Sequence, residues 1–93
     1  MEINFSCESK RFLKNATTDL SQRILKKIDL LKTNCFPKDC KRINNSFYGD
    51  KVFRIRVGEF RVLYEIVGSE VILIHKISKR SQVYIKEDKE KYL

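Results

Sequence analysis

The spacing of apolar residues changes period along the chain, and the changes mark its elements. Leu20, Ile24, Ile28 and Leu31 recur at helical spacing, with Leu25 beside them. That spacing predicts a helix over about residues 18–33, with Arg23, Lys26 and Lys27 on its other face. Thr17 or Thr18 can cap its start, and Asp19 suits a first turn, where negative charge meets the positive end of the helix dipole. Asn34 can end the helix, and Pro37 prevents its continuation. Before it, "ESKRFLKN" reads as a brief helix that exposes Lys10, Arg11 and Lys14 and buries Phe12 or Leu13. "INF" at residues 3–5 reads as a short edge strand.

Residues 38–50, "KDCKRINNSFYGD", are rich in polar and turn-forming residues and read as loop. From there the period shortens to two. Strands are predicted at about 51–57, 60–67 and 70–77, separated by Gly58-Glu59 and Gly68-Ser69. A glycine first in a two-residue loop suits a type II′ hairpin. The charged end, with Lys86/Glu90 and Glu87/Lys91 four residues apart, reads as a short helix. The expected fold is one small α+β domain spanning residues 1–93. It has an N-terminal strand, two antiparallel helices, then an antiparallel β-meander with the helices on one sheet face. The other face is expected to be open.

Pairing across Gly58-Glu59 sets Val57 against Phe60, Arg56 against Arg61, Ile55 against Val62 and Arg54 against Leu63. Opposed residues share a face, as do residues two apart. Phe53, Ile55, Val57, Phe60, Val62 and Tyr64 then point towards the helices, and Arg54, Arg56 and Arg61 point away. Like charges facing one another on a sheet are unfavourable. Two readings follow: a solvated face, or a site where a bound anion removes the conflict. Arginine at all three positions favours phosphate, because guanidinium is permanently charged and its planar fork of donors matches phosphate oxygens.

The chain's formal net charge of +8 fits a polyanionic partner, nucleic acid or an acidic protein. A second basic run, "KISKRSQVYIK" at 76–86, holds four basic residues and no acid. Within it, Arg80 and Tyr84 are four apart and would meet on one helical turn, where the tyrosine ring offers a nucleobase a stacking surface or anchors the tail. "MEINFSCESKRF" has no long apolar region, so neither a signal peptide nor a membrane span is expected. Cys7, Cys35 and Cys40 are an odd number, and "CFPKDC" offers too few ligands for zinc with the single histidine, His75, far off in sequence. Reduced thiols and no metal site are the expectation.

The run "FRIRVGEFRVLYEIVGSEVILIHKISKRSQVY", residues 53–84, resembles the RelE/ParE toxin superfamily. That family shows a basic strand, a turn, a strand of the form "(Y/F)RVLY", a further apolar strand and a basic "R…VY" close. Here these are "RIR" at 54–56, "EFRVLYEI" at 59–66 and "KRSQVY" at 79–84. The resemblance implies a RelE-like fold and the toxin of a type II toxin–antitoxin pair. The RelE branch consists of ribosome-dependent mRNA endonucleases that use no metal or other cofactor and inhibit translation. In them the upstream 2′-hydroxyl attacks the scissile phosphate. The matching positions are Arg54, Arg56, Arg61, Arg80 and Tyr84, with Lys51, Lys76, Lys79 and Lys86 as expected RNA contacts. Many RelE-type members carry lysine at the first two positions, and several have "HR" where this chain has Lys79-Arg80.

Arginines suit charge stabilisation at phosphorus but are poor proton carriers. That leaves Tyr84, Lys79, His75, Glu65 or a ribosomal group. By alternation His75 shares a face with Leu73 and Ile77, which permits the core side and a structural role. Glu65, on the arginine face, is expected to pair with a neighbouring arginine. The implied partners are an acidic, RelB-like antitoxin in a toxin–antitoxin hetero-oligomer, the ribosome and mRNA, in the cytoplasm and without a membrane. A ParE-like inhibitor of DNA gyrase and a non-catalytic basic nucleic-acid-binding module are the competing readings.

Overall fold

Alternating apolar side chains in a hairpin and one stripe of a helix meet to form the core, which sets the rest of the architecture. In the computed structural model, residues 1–43, 47–49 and 51–79 are described. Their order is β1 (Glu2–Phe5), α1 (Cys7–Asn15), α2 (Thr18–Asp29), a 3₁₀ turn (Leu30–Lys32), β2 (Lys41–Ile43), β3 (Val52–Val57), β4 (Phe60–Val67) and β5 (Val71–Lys79). The strands form one sheet in the order β1-β5-β4-β3-β2. Ile24 and Ile28 of α2 and the following Leu31 pack with Ile55, Val57, Val62, Tyr64, Ile72, Ile74 and Ile77. This is an α+β fold, with the helical stripe on one sheet face.

The central hairpin has the register read from its turn: Val57 faces Phe60, Arg56 faces Arg61, Ile55 faces Val62 and Arg54 faces Leu63. Gly58 has φ 59° and Gly68 φ 64°, the positive values a primed two-residue turn requires at its first position. Thr17 caps α2, its hydroxyl accepting the Leu20 N–H. The helix stops at Asp29 rather than 33, tightening into the 3₁₀ turn, and Leu25 is left exposed at its side. Phe12 and Leu13 of α1 are both partly buried against the core, and Phe12 meets Phe60 edge-on.

Three features depart from the expected meander. First, β1 runs parallel to β5, so the sheet is mixed. Second, the expected loop 38–50 contains β2, which pairs antiparallel with β3. Ile43 supplies the reason, since it buries against Val52 and Leu63 in a second small cluster joined by Tyr48. That cluster lies on the sheet face away from the helices, which is therefore not simply open. Third, β5 carries a bulge: Leu63 pairs with Lys76 but Tyr64 with Ile74, leaving His75 as the extra residue. The predicted tail helix, with Arg80, Tyr84 and Lys86, lies outside the described residues, as do 44–46 and 50.

Tyr64 ties the sheet to the segment after α2, its hydroxyl donating to the Cys35 carbonyl at 2.6 Å. Burial, with Cys40 beside it, pushes the phenol well above its ordinary value of 10.0. The unfolded chain thus loses this proton first, so its contribution to stability is complete below pH 10 and falls above it. Tyr64→Phe is expected to lower unfolding free energy by about 1 kcal/mol at neutral pH. Urea titrations above pH 10 should show a shallower loss in the variant than in the parent chain.

Candidate functional site

The face opposite the helices collects positive charge because the hairpin register leaves it no alternative. Arg56 faces Arg61 across β3 and β4, and Lys41 of β2 faces Arg54. Arg56 is exposed, but Arg54 and Arg61 are only 3% and 2% exposed. The sequence reading put all three on an open face, either solvated or holding an anion; two of them are buried instead. Arg61 reaches the Phe60 carbonyl through Nη1 at 3.4 Å, and its Nε is buried without a hydrogen-bond partner among the described residues. Ser78 lies directly opposite Arg61 on β5, and its hydroxyl is likewise buried and unmatched.

The β3–β4 turn has a further guanidinium near it that sequence reading did not select. A Cβ on Gly58 would come 3.2 Å from Arg23 Nη2, so α2 presents this arginine at the β3–β4 turn. Asp39 supplies a nearby acid. Its carboxylate lies 3.3 Å from Lys27 Nζ and accepts weakly from the Arg56 backbone N–H at 3.4 Å. Burial pushes that carboxyl up, but the Lys27 and Arg56 hydrogen bonds outweigh it and hold it below the ordinary carboxylate value.

The other end of the face is occupied by a polar and aromatic network. The bulge turns His75 away from Ile77, which stays in the core, and sets it towards Glu65. His75 Nε2 and Glu65 Oε1 are 2.9 Å apart. The core-side placement is thus overturned, and Glu65 pairs with this histidine, not with an arginine in any contact found among the described residues. Tyr48 stacks on the imidazole at 4.9 Å between ring centres and donates to Glu8 Oε1 at 2.8 Å. Glu8 Oε2 also lies 3.3 Å from Lys76 Nζ. Lys76 is thereby buried with its charge met inside the fold, whereas Lys51 and Lys79 are exposed.

Of the proposed site residues, Arg54, Arg56 and Arg61 come together on one face; Arg80 and Tyr84 lie outside the described residues. Sequence reading missed Tyr48, Glu8 and Ser78. For the bulge a signal was present: Ile74 and Ile77 are three apart, with His75 and Lys76 between them. Strict alternation cannot bury both isoleucines on one face, and one extra residue can.

Two helices on one face of a five-stranded sheet, with paired arginines on the other, define a RelE-like toxin fold. Residues 4–84 match the family described as the ParE toxin of the type II toxin–antitoxin system, parDE, and the chain belongs to that family. It is a toxin of the wider RelE/ParE group. It is 43% identical over 83 residues to a RelE1 toxin candidate of Methanocaldococcus jannaschii, covering 81% of this chain and 88% of that protein. The fold matches the archaeal RelE–RelB complex of Pyrococcus horikoshii with a TM-score of 0.71 at 21% identity, over 87% of this chain and 96% of that one. The RelB–RelE antitoxin–toxin complex of Methanococcus jannaschii matches with a TM-score of 0.66 at 22% identity, over 89% and 96%.

The His75 network makes a direct stability claim. His75→Ala removes the contact to Glu65 and the stack under Tyr48, and should cost about 1–3 kcal/mol in urea unfolding. Because the two rings act together, His75→Ala combined with Tyr48→Ala should cost less than the sum of the single changes.

Proposed function

We propose that this toxin is an endoribonuclease that cuts mRNA on the ribosome, without a metal or other cofactor, and so halts translation in the cytoplasm. The observation that carries the reading is the buried Arg61, with its unmatched Nε beside the unmatched Ser78 hydroxyl. A buried donor without an acceptor costs about 1–3 kcal/mol. A phosphate supplies acceptor oxygens and relieves the repulsion between Arg56 and Arg61 in the same step.

In the reaction the upstream 2′-hydroxyl attacks phosphorus. A bond from the 2′-oxygen to phosphorus forms, and the bond to the 5′-oxygen of the next nucleotide breaks. Negative charge grows on the non-bridging oxygens, where Arg54, Arg56 and Arg61 are suited to hold it. Their high pKa leaves the protons to other groups. On this reading Arg80 adds a further guanidinium, and Tyr84 stacks on a base or assists proton transfer. Lys51, Lys79 and Lys86 hold the backbone by charge. The partner is an acidic, RelB-like antitoxin in a hetero-oligomer, supported by the RelB chains in both matching complexes. The family match to a ParE toxin favours a second reading, inhibition of DNA gyrase by binding.

Purified toxin added to programmed ribosomes should cut the message at defined codons, as read by primer extension. Arg61→Ala and the exposed Arg56→Ala should each slow cutting by about 10²–10³-fold. Cutting that survives both changes sinks the site. Trapped gyrase–DNA breaks with intact message would transfer the protein to the second reading.

A further inference from the structure

Phe47 is 65% exposed, and nothing in the cleavage scheme uses it. The ring is nonetheless held. Its centre lies 5.2 Å from that of Tyr48 at 82°, an edge-to-face contact. Tyr48 stacks in turn on His75, donates to Glu8 and packs against the Ile43, Val52 and Leu63 cluster. Gly49 follows with φ 118°, a value that favours glycine. The result is a many-sided support under an exposed aromatic ring.

The support stands on the arginine face. Leu63, in the cluster under Tyr48, is the cross-strand neighbour of Arg54. Val52, in the same cluster, is two residues from Arg54, a rise of about 7 Å along a strand. Lys41, two residues from Ile43 and opposite Arg54, is exposed on the same face. The acids at this end, Glu65 and Glu8, are engaged by His75 and Lys76. An exposed apolar ring beside a basic surface is the arrangement by which single-stranded nucleic acid is held, the backbone on the charges and a base on the ring.

We propose that Phe47 is a stacking platform for one unpaired nucleobase of the bound RNA, fixed by the Tyr48–His75 stack, while the adjoining backbone lies on the Arg54 and Arg56 rows. This rests on the RNA reading above and adds a base contact to it. Stacking is tolerant of base identity, so the platform positions the strand more than it selects sequence.

The test uses a short fluorescein-labelled single-stranded RNA and a duplex of the same length, titrated with the full chain. Phe47→Ala should weaken single-strand binding about 5- to 100-fold and leave duplex binding within about twofold. Arg56→Ala should weaken both. The chain has no tryptophan, so Phe47→Trp adds a single indole, selectively excited apart from the tyrosines, whose emission the single strand should quench and the duplex should not. Single-strand binding unchanged in Phe47→Ala, with Arg56→Ala weakened, overturns the platform and leaves the RNA reading in place. Loss of antitoxin binding in Phe47→Ala with RNA affinity kept also overturns it, assigning the ring to a protein partner. Binding that depends on Phe47 without any cutting on the ribosome removes the nuclease reading and supports the platform.

Discussion

The register of the β3–β4 hairpin is the constraint on which the rest depends. A strand alternates its side chains, so one register decides both faces together. Seating Ile55, Val57, Val62 and Tyr64 in the core sends Arg54, Arg56 and Arg61 to the other side. The arginines cannot be spread apart without lifting the core. Each fully buried aliphatic side chain contributes about 1.5–3 kcal/mol, while a like-charged cross-strand pair costs under about 1 kcal/mol when solvated. The core therefore holds the charges together, and it must do so against a larger opposition where Arg61 is taken out of water.

The bulge at His75 is the second constraint, and it links the sheet to both of its flanks. The Ile74 and His75 carbonyls lie at this bulge. Ser6 meets both, its N–H donating to the Ile74 carbonyl at 2.9 Å and its hydroxyl to the His75 carbonyl at 2.7 Å. The same Ser6 hydroxyl accepts the Ser9 N–H as the cap of α1. One irregularity thus fixes where α1 begins and turns His75 towards Glu65. Glu8, in the first turn of α1, then reaches Tyr48 and Lys76.

What could be read from the chain follows from how local the causes are. The hairpin faces, the Thr17 cap and the apolar stripe of α2 are set by residues within a few positions of one another, and they stand in the structure as read. The strand β2 was not legible, because "KRI" becomes a strand only when Ile43 finds Val52 and Leu63 across the sheet. The parallel seat of β1 depends on β5, nearly seventy residues on by the Phe5–Ile74 pairing. The arginines were legible as a group but their burial was not, since alternation gives direction and says nothing of what lies above a face. His75 was misplaced because alternation was carried across a spacing of three. Arg80 and Tyr84 rest on their spacing in the basic run and on the family pattern.

Burial changes what the arginine face asks of a ligand. A solvated guanidinium exchanges water for phosphate with little net gain, because both satisfy its donors. A buried one with an unmatched donor has already lost its water, so an anion that reaches it removes a cost instead of replacing a partner. The free toxin carries that cost, and any anionic partner that binds the native state raises its stability by mass action. An acidic antitoxin and an RNA backbone would draw on the same unmet positive charge. On the proposed reading, neutralising the toxin and presenting its substrate are competing uses of one electrostatic defect, which the apolar side of the same hairpin keeps in place.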